Sequence, residues 1–122
     1  MTKLIIQIPC YNEEEHLLTT LEDLPKEIEG IDTLQILVIN DGSTDNTEKV
    51  AKDWGAIVCN IKHNKGLANA FRMGLQESLA LGADIIVNTD ADNQYSAKDI
   101  EKIVSPILEN DADIVIGARD IF

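Results

Sequence analysis

Five short apolar segments, each of strand length, alternate along the chain with longer segments of helical periodicity. The short segments are rich in isoleucine, valine and leucine at nearly every position: residues 3–9, 34–40, 56–61, 84–90 and 113–117. Strands that are apolar on both faces are typical of a parallel sheet covered by helices on both sides. The alternation therefore predicts an α/β fold, in which right-handed βαβ crossovers connect a mainly parallel sheet.

Four helices are predicted between these strands. Pro25 is expected to end or bend the first of them. The third is expected to stop at Gly82 and to bury Leu67, Phe71, Gly74 and Leu75. The segments with helical periodicity are residues 17–28, 44–54, 67–81 and 100–108.

Length, charge and cysteine content limit the class of protein. The 122 residues are enough for one domain, residues 1–122, with its own core. The formal net charge of −12 disfavours nucleic acid or an anionic membrane as a partner of the general surface. No apolar run approaches the roughly 18 residues of a membrane-spanning helix, and the first residues lack a signal-peptide pattern. Cys10 and Cys59 are expected to be buried free thiols in a reducing compartment, which predicts a cytoplasmic chain.

Polar side chains follow the predicted strands at their carboxyl ends, whereas the strand bodies are apolar. Ligands of open parallel sheets bind outside the carboxyl ends of the strands. The functional residues are therefore expected at these five exits: residues 9–13, 40–43, 63–66, 90–95 and 117–120.

Two aspartates, Asp90 and Asp92, follow the fourth strand in the sequence VNTDADNQY. If the chain is still extended there, both carboxylates point to the same side and repel each other. A shared proton or a divalent cation would remove the repulsion. With Gln94 as a third oxygen donor, the set suits Mg²⁺ or Mn²⁺ rather than zinc. The spacing alone also leaves open a solvated acidic turn.

The exits of the first two strands offer groups that suit a nucleotide. Pro9 is expected to block further pairing of the first strand, and Tyr11 is suited to stack on a planar base. Asn12 with Glu13 is also suited to cap the next helix. Asp41 is placed to accept a hydrogen bond from a base or ribose, or simply to build a turn in which Ser43 or Thr44 caps the second helix.

Two cations lie near the remaining exits. Lys65 precedes the third helix and is a candidate contact for a base or phosphate. Arg119 follows the fifth strand, where its guanidinium suits a phosphate or forms a surface salt bridge to an acid such as Asp120. The chain contains no Ser-His-Asp set, Walker A loop or dinucleotide-binding glycine motif.

Taken together and in this order, the segments PCYNEEE, VINDGSTDNT, NKGLANAFRMG, NTDADNQY and DIVIGARD resemble the family-2 glycosyltransferases of GT-A fold. They are most similar to the branch of dolichol-phosphate mannose synthases and polyprenyl-phosphate glycosyltransferases. The resemblance covers essentially the whole chain. It implies a Rossmann-like GT-A core, a nucleotide-diphosphate sugar donor, a divalent metal, and transfer with inversion at the anomeric carbon.

The resemblance also implies a role for individual residues. Asp90 would lie near the ribose, sugar or metal of the donor, and Asp92 with Gln94 would hold the metal on the diphosphate. Arg119 would face the phosphates of the donor or of a lipid acceptor, which makes Asp92 and Arg119 the expected catalytic residues. The nucleotide pocket would be lined by Pro9, Tyr11, Glu13 and Asp41.

The sequence departs from the family in two ways. Asn40 stands where the family usually has the first aspartate of Asp-Asp-Gly-Ser, which removes one negative charge. Family members also continue beyond the fifth strand into acceptor-binding segments and often membrane helices, so we expect the chain to be the nucleotide-binding part of a longer protein. Contact with a membrane, at its cytoplasmic face, would then come only through that further part, and the acceptor would be a lipid phosphate or a saccharide.

Two other functions remain open. One is a non-catalytic nucleotide-sugar-binding or scaffold domain that keeps the same fold. The other is a sugar nucleotidyltransferase, which has a similar layout but needs a basic, glycine-rich loop near its N-terminus. The segment IPCYNEE contains no such loop.

Overall fold

The computed structural model describes residues 2–89 and the backbone of residues 114–116. The described strands form one parallel sheet of five, in the order β3-β2-β1-β4-β5. The predicted α/β class and all five predicted strands are confirmed, whereas the predicted helix at residues 100–108 lies outside the described residues. The elements are β1 (Lys3–Cys10), α1 (Leu17–Asp23), β2 (Thr33–Asp41), α2 (Thr47–Trp54), β3 (Ile57–Ile61), α3 (Leu67–Ala80), β4 (Ile85–Asn88) and β5 (Ile114–Ile116).

Helices cover both faces of the sheet. The even-numbered side chains of β1, such as Ile6 and Ile8, join one core cluster with Leu17 and Leu21 of α1 and with side chains of α2. The odd-numbered side chain of Ile5 joins a second cluster on the α3 side. A strand covered on both faces must be apolar at every position, which is why β1 shows no alternation in the sequence. Burial of each large aliphatic side chain contributes roughly 1.5–3 kcal/mol.

Pro25 explains where α1 ends. The last helical residue is Asp23, and Leu24 has extended backbone angles because the residue before a proline is sterically excluded from the helical region. Leu24 and Ile28 remain buried against the α1–α2 side of the sheet although neither is in the helix. The apolar spacing thus identified core residues correctly beyond the end of the helix.

The buried face of α3 agrees with the prediction at Gly74 and differs from it elsewhere. Its buried residues are Ala70, Gly74 and Ser78, whereas Leu67 is 66% exposed. A Cβ at position 74 would lie 2.8 Å from Ile39 Cδ1 and 2.9 Å from the side chain of Gln7. Small residues therefore face the sheet because α3 packs with its backbone close to β1 and β2.

The order of the strands creates a reversal between β1 and β4. From β1 the chain moves outward through β2 to β3, and α3 then crosses back to place β4 on the other side of β1. The next strands along the chain, β2 after β1 and β5 after β4, therefore lie on opposite sides of the β1–β4 pair. In open parallel sheets the ligand crevice lies at such a switch point, outside the carboxyl ends of the strands.

Pro9 was expected to block further pairing of β1, and this expectation is wrong for the side of β1 that pairs with β2. The strand continues through Cys10, which pairs with Asn40 of β2. The carbonyl of Gln7 accepts a hydrogen bond from Thr89 N, which shows that the odd-numbered residues of β1 bond toward β4. The missing N–H of Pro9 therefore falls on the β4 side, beyond the last β4 residue, and no bond to β2 is lost.

Candidate functional site

The exits of β1 and β2 are joined by direct hydrogen bonds. Asn12 N donates to Ser43 Oγ at 2.9 Å, and Thr44 N donates to Asn12 Oδ1 at 2.8 Å. Asn12 has a left-handed backbone, with φ +53°, which asparagine tolerates better than most residues. Its predicted role as a helix cap is wrong, because its side chain binds the β2 exit and α1 begins only at Leu17.

A second connection links Glu13 to the start of α2. Glu13 N donates to Thr47 Oγ1 at 2.9 Å, and that hydroxyl donates to Asp45 Oδ1. The helix begins at Thr47 rather than Thr44, so the predicted cap by Ser43 or Thr44 is also wrong. Both of those residues are instead used to hold Asn12 in place.

Asp45 is an anion stabilised by this arrangement. Partial burial acts to raise the pKa of its carboxyl, but hydrogen bonds from the side chain and backbone of Thr47 and from the backbone of Glu14 together lower that pKa. The carboxylate therefore remains charged at neutral pH. It serves the loop rather than a ligand, because both of its oxygens accept hydrogen bonds from the chain itself.

Asp41 joins the exits of β2 and β3. Its side chain is only 3% exposed, and its oxygens accept from Lys65 N at 2.9 Å, Gly66 N at 3.0 Å and Asn64 Nδ2 at 3.1 Å. Gly42 allows the same approach, since a Cβ at that position would lie 2.4 Å from Asn64 N. The turn-building role that the sequence left open for Asp41 is therefore present in the structure.

The unusual Asn40 has a specific partner. Its Nδ2 donates to Asn60 Oδ1 at 3.0 Å, and its Oδ1 accepts from Ser43 N at 3.3 Å. Asn60 in turn donates to Glu48 Oε2 at 2.8 Å. The pKa of Glu48 is lowered mainly by a hydrogen bond from Lys52 and further by this bond from Asn60. An aspartate at position 40 has no donor for Asn60, so an asparagine suits this neighbour better.

The exit of β4 is anchored by a residue that sequence reasoning missed. Gln7, at the centre of β1, is fully buried and donates through Nε2 to Asn88 Oδ1 at 3.1 Å. Its backbone carbonyl accepts from Thr89 N at 3.0 Å. The available signal was a single polar residue inside the apolar segment KLIIQIP. Because buried amides need partners, that residue could have been expected to bind a neighbouring strand.

The structure brings the described candidate residues to one edge of the sheet. Pro9 is buried in β1, Tyr11 is 47% exposed just beyond it, and Glu13 follows. Asp41 and the exposed Lys65 lie at the neighbouring exits, which the hydrogen bonds above connect. The remaining candidates lie outside the described residues: Asp90, Asp92, Gln94 and Arg119. Within residues 2–89, no group of three or more histidine, cysteine, aspartate or glutamate side chains is arranged to hold a metal.

Neither cysteine is suited to act as a nucleophile. Both are free thiols, but only Cys10 is buried as predicted, whereas Cys59 is half-buried. Burial, with smaller contributions from the charges of Glu13 and Asp45, raises the pKa of Cys10, and burial with the charge of Glu77 raises that of Cys59. A raised pKa leaves the thiol protonated and unreactive at neutral pH. Cys10, although next to the site, therefore packs as a small apolar residue.

Two described cavities lie away from this edge. Their volumes are about 250 Å³ and 520 Å³, and both are lined by Lys26 and Leu34, at the amino ends of the strands. Ligands of open parallel sheets bind at the opposite edge. Among the helices of the described residues, none is both long enough and apolar enough to cross a membrane.

Comparison with protein families identifies the chain. The sequence profile described as Glycosyl transferase family 2 matches residues 5–122. The UDP-N-acetylglucosamine–dolichyl-phosphate N-acetylglucosaminyltransferase of Methanococcus voltae is 35% identical over 92% of this chain and 50% of its own length. The dolichol-phosphate mannosyltransferase of Pyrococcus furiosus is 31% identical over 96% of this chain and 33% of its own.

Solved structures agree with the sequence comparison. Glucosyl-3-phosphoglycerate synthase of Mycobacterium tuberculosis, crystallised with Mn²⁺, UDP and glucosyl-3-phosphoglycerate, superposes with a TM-score of 0.69 and 27% identity. The alignment covers 88% of this chain and 40% of that enzyme. The chain also spans only about half the length of the curated relatives it matches. The predicted GT-A fold and the predicted family are confirmed, and the chain belongs to glycosyl transferase family 2.

Proposed function

We propose that the chain is the donor-binding core of a metal-dependent, inverting glycosyltransferase that uses a nucleotide-diphosphate sugar. The observation that carries the proposal is the switch point of the sheet, where the exits of β1, β2 and β3 are joined beside the exit of β4. Asp90 and Asp92 follow β4 by two and four residues. Family membership supports the same assignment.

The nucleotide is assigned to the exits of β1 to β3. Tyr11 offers an exposed ring for stacking on a base, and Glu13 follows it on the same loop. Pro9 and Asp41 shape the floor of the pocket because both are buried. Lys65 is exposed beside Asp41 and supplies a positive charge for a base carbonyl or a phosphate.

The metal and diphosphate are assigned to the exit of β4. Asp90, Asp92 and Gln94 would hold Mg²⁺ or Mn²⁺ through oxygen atoms, the ligands that these cations prefer. The chain has a net charge of −12, so an anionic diphosphate needs such a cation to bind beside two carboxylates. When bound, the cation stabilises the charge that develops on the diphosphate leaving group.

The chain's own residues then hold the donor for a single displacement. The loops at the exits of β1, β2 and β3 fix the nucleoside, so that the anomeric carbon faces the open side of the crevice. Arg119 is assigned to the phosphates of the donor or of the acceptor through its planar guanidinium. An acceptor that attacks opposite the departing diphosphate inverts the anomeric configuration.

The acceptor is proposed to be a lipid phosphate such as a polyprenyl phosphate, with a saccharide as the alternative. Two relatives are named for transfer to a dolichol phosphate. A phosphate acceptor is already a nucleophile at neutral pH and needs no strong base. We assign the chain to the cytoplasm, where its two free thiols would remain reduced.

Isothermal titration calorimetry tests the donor site. We expect UDP or GDP to bind at least tenfold more tightly with Mn²⁺ than without it. Asp92→Asn should abolish most of this metal effect, because even the loss of a second-sphere partner costs roughly 10–100-fold in metal affinity and Asp92 is assigned as a direct ligand. Asp53→Asn is the matched control, since it changes the net charge equally at an exposed position of α2.

Two results would contradict the proposal. One is nucleotide binding that is the same with and without Mn²⁺. The other is an equal effect of Asp92→Asn and Asp53→Asn, which would mean that only the overall charge matters. Binding of nucleotide without any transferase activity in the longer protein would favour the non-catalytic alternative.

A further inference from the structure

Gln7 is a buried polar residue at the centre of a strand that is otherwise apolar. It is fully buried, and its carboxamide makes three hydrogen bonds. Nε2 donates to the backbone carbonyl of Phe71 at 3.2 Å and to Asn88 Oδ1 at 3.1 Å, while Oε1 accepts from Ser78 Oγ at 3.2 Å. Both donor hydrogens and the acceptor oxygen are therefore used, and the group is fixed on three sides.

The network has a defined direction. A backbone carbonyl only accepts hydrogen bonds, so Phe71 requires the nitrogen of Gln7, not its oxygen, on the α3 side. The second hydrogen of that nitrogen then requires Asn88 to present its oxygen. The amide nitrogen of Asn88, with two donor hydrogens, is consequently left for an acceptor other than Gln7. The hydroxyl of Ser78 can rotate, so it satisfies Oε1 without setting the direction.

Stability alone does not account for an amide at this position. A buried amide that is fully hydrogen-bonded gains little over an apolar side chain of the same shape, and it becomes costly if one partner is lost. The fold also makes room for it, since a Cβ on Gly74 would lie 2.9 Å from Gln7 Cδ and Nε2. Compared with methionine, an apolar side chain of similar shape, the amide of Gln7 adds a fixed orientation of Asn88, the last residue of β4.

Asn88 lies next to the segment assigned to the metal and diphosphate. It is the last residue of β4, is half-buried, and precedes Asp90 by two residues. The following residue, Thr89, is held by its N–H to the carbonyl of Gln7 at 3.0 Å. Side chain and backbone of Gln7 thus act on consecutive residues at the start of that segment.

We propose that Gln7 is a positioning residue, which turns the carboxamide of Asn88 so that its nitrogen donates a hydrogen bond to the diphosphate of the donor. The inference rests on the proposed function, because it needs a diphosphate bound at the exit of β4. It adds two residues, Gln7 and Asn88, to the residues that determine affinity for that ligand. Gln7 acts through Asn88 and does not touch the ligand itself.

The test measures binding of inorganic pyrophosphate with Mn²⁺, a probe that does not depend on the base or the sugar. Calorimetry and the Mn²⁺ electron paramagnetic resonance signal report affinity for wild type, Gln7→Met, Asn88→Ala and the double variant. We expect each single variant to bind about tenfold more weakly, a typical effect of a second-sphere partner. In the Asn88→Ala background, Gln7→Met should cause no further loss of affinity.

Ser78→Ala is the matched control. It removes a hydrogen bond from the same buried carboxamide, but on the side that does not orient Asn88. We expect it to lower the melting temperature as Gln7→Met does, yet to change pyrophosphate affinity less than twofold. A merely structural role of Gln7 would instead make affinity follow melting temperature in both variants.

The outcomes separate this inference from the proposed function. If wild type fails to bind pyrophosphate with Mn²⁺, the proposed function is overturned, and this inference with it. If wild type binds but Gln7→Met binds equally well, or if the two single losses add in the double variant, only the positioning role is overturned. Should Gln7→Met not fold, Asn88→Ala decides, because unchanged affinity there would also contradict the proposal.

Discussion

Asp41 and Asn40 show how adjacent residues of one motif take different structural roles. Successive side chains of β2 point to opposite faces, so Asp41 reaches the start of α3 while Asn40 reaches Asn60 on β3. The carboxylate of Asp41 accepts from two backbone N–H groups near the start of α3, where negative charge is favourable. The main contribution of Asp41 to the site is therefore that it holds the loop that carries Lys65 in place.

Thr47 provides a prediction that depends on pH. Its buried hydroxyl accepts from Glu13 N and donates to the Asp45 carboxylate. We expect Thr47→Val to lower the free energy of unfolding by about 1–3 kcal/mol at pH 7, because an acceptor and a charge-assisted bond are lost without a change of shape. Urea unfolding measures the change. Thr44→Val in the same loop is the control, since it removes only an exposed hydrogen bond of 3.4 Å from Thr44 Oγ1 to Asn12 Oδ1.

The sign of the pH dependence follows from Asp45. The pKa of its carboxyl is lowered in the folded chain from an ordinary value of 3.8. The stability that the carboxylate provides is therefore complete above pH 3.8 and is lost as the pH falls through the lower, folded pKa. The cost of Thr47→Val should stay constant between about pH 7 and pH 5 and shrink below 3.8. A cost that grows on acidification would contradict this account.

Among the secondary-structure elements, the junction of the β2 and β3 exits depends on a glycine. Gly42 has φ +71°, and a Cβ there would lie 2.4 Å from Asn64 N and 2.7 Å from the carbonyl carbon of His63. Gly55, with φ +107°, has no atom within 4 Å of the same position, so Gly55→Ala measures the backbone strain alone. Strain costs about 1–2 kcal/mol. Gly42→Ala should lower the free energy of unfolding by about 1–3 kcal/mol more than Gly55→Ala does, because the loop that contains His63 and Asn64 must also move.

Urea unfolding of both variants tests this comparison. The same variants distinguish loop position from general stability, since only Gly42→Ala displaces the loop that carries Lys65. We therefore expect Gly42→Ala, but not Gly55→Ala, to weaken nucleotide binding. Equal free energies of unfolding would show that the two loops are not in contact as described.

The secondary-structure elements were largely predictable from the sequence, whereas the side-chain contacts between them were not. Continuous apolar segments identify strands covered on both faces, and the sheet edge that carries the site follows from parallel strands. Gly74 was predicted to be buried, but Ala70 and Ser78 were missed, because the close approach of α3 to the sheet depends on Gln7 and Ile39, which are distant in sequence. The network of Gln7 was missed for the same reason, since its partners come from α3 and β4.

For the molecule as a whole, the excess of negative charge has two separable consequences. A net charge of −12 destabilises the compact state through self-repulsion, which any salt screens. A cation that binds the folded site adds a further stabilisation equal to RT ln(1 + [L]/Kd). Screening depends on ionic strength, whereas site binding depends on the identity of the cation.

Thermal unfolding at matched ionic strength separates these two effects. In NaCl, the melting temperature should rise with concentration for wild type and all variants alike, because screening needs no site. In MgCl₂ or MnCl₂ of equal ionic strength, we expect the free energy of unfolding of wild type to be about 1.4 kcal/mol higher than in NaCl, when the concentration of free metal is about ten times its dissociation constant. Asp92→Asn should lose this excess and Asp53→Asn should keep it, since both remove one negative charge but only Asp92 is assigned to the metal. Equal melting temperatures of wild type in the sodium and divalent salts would mean that this chain binds no such cation without a nucleotide. Adding pyrophosphate to both salts would then show whether the diphosphate completes the site.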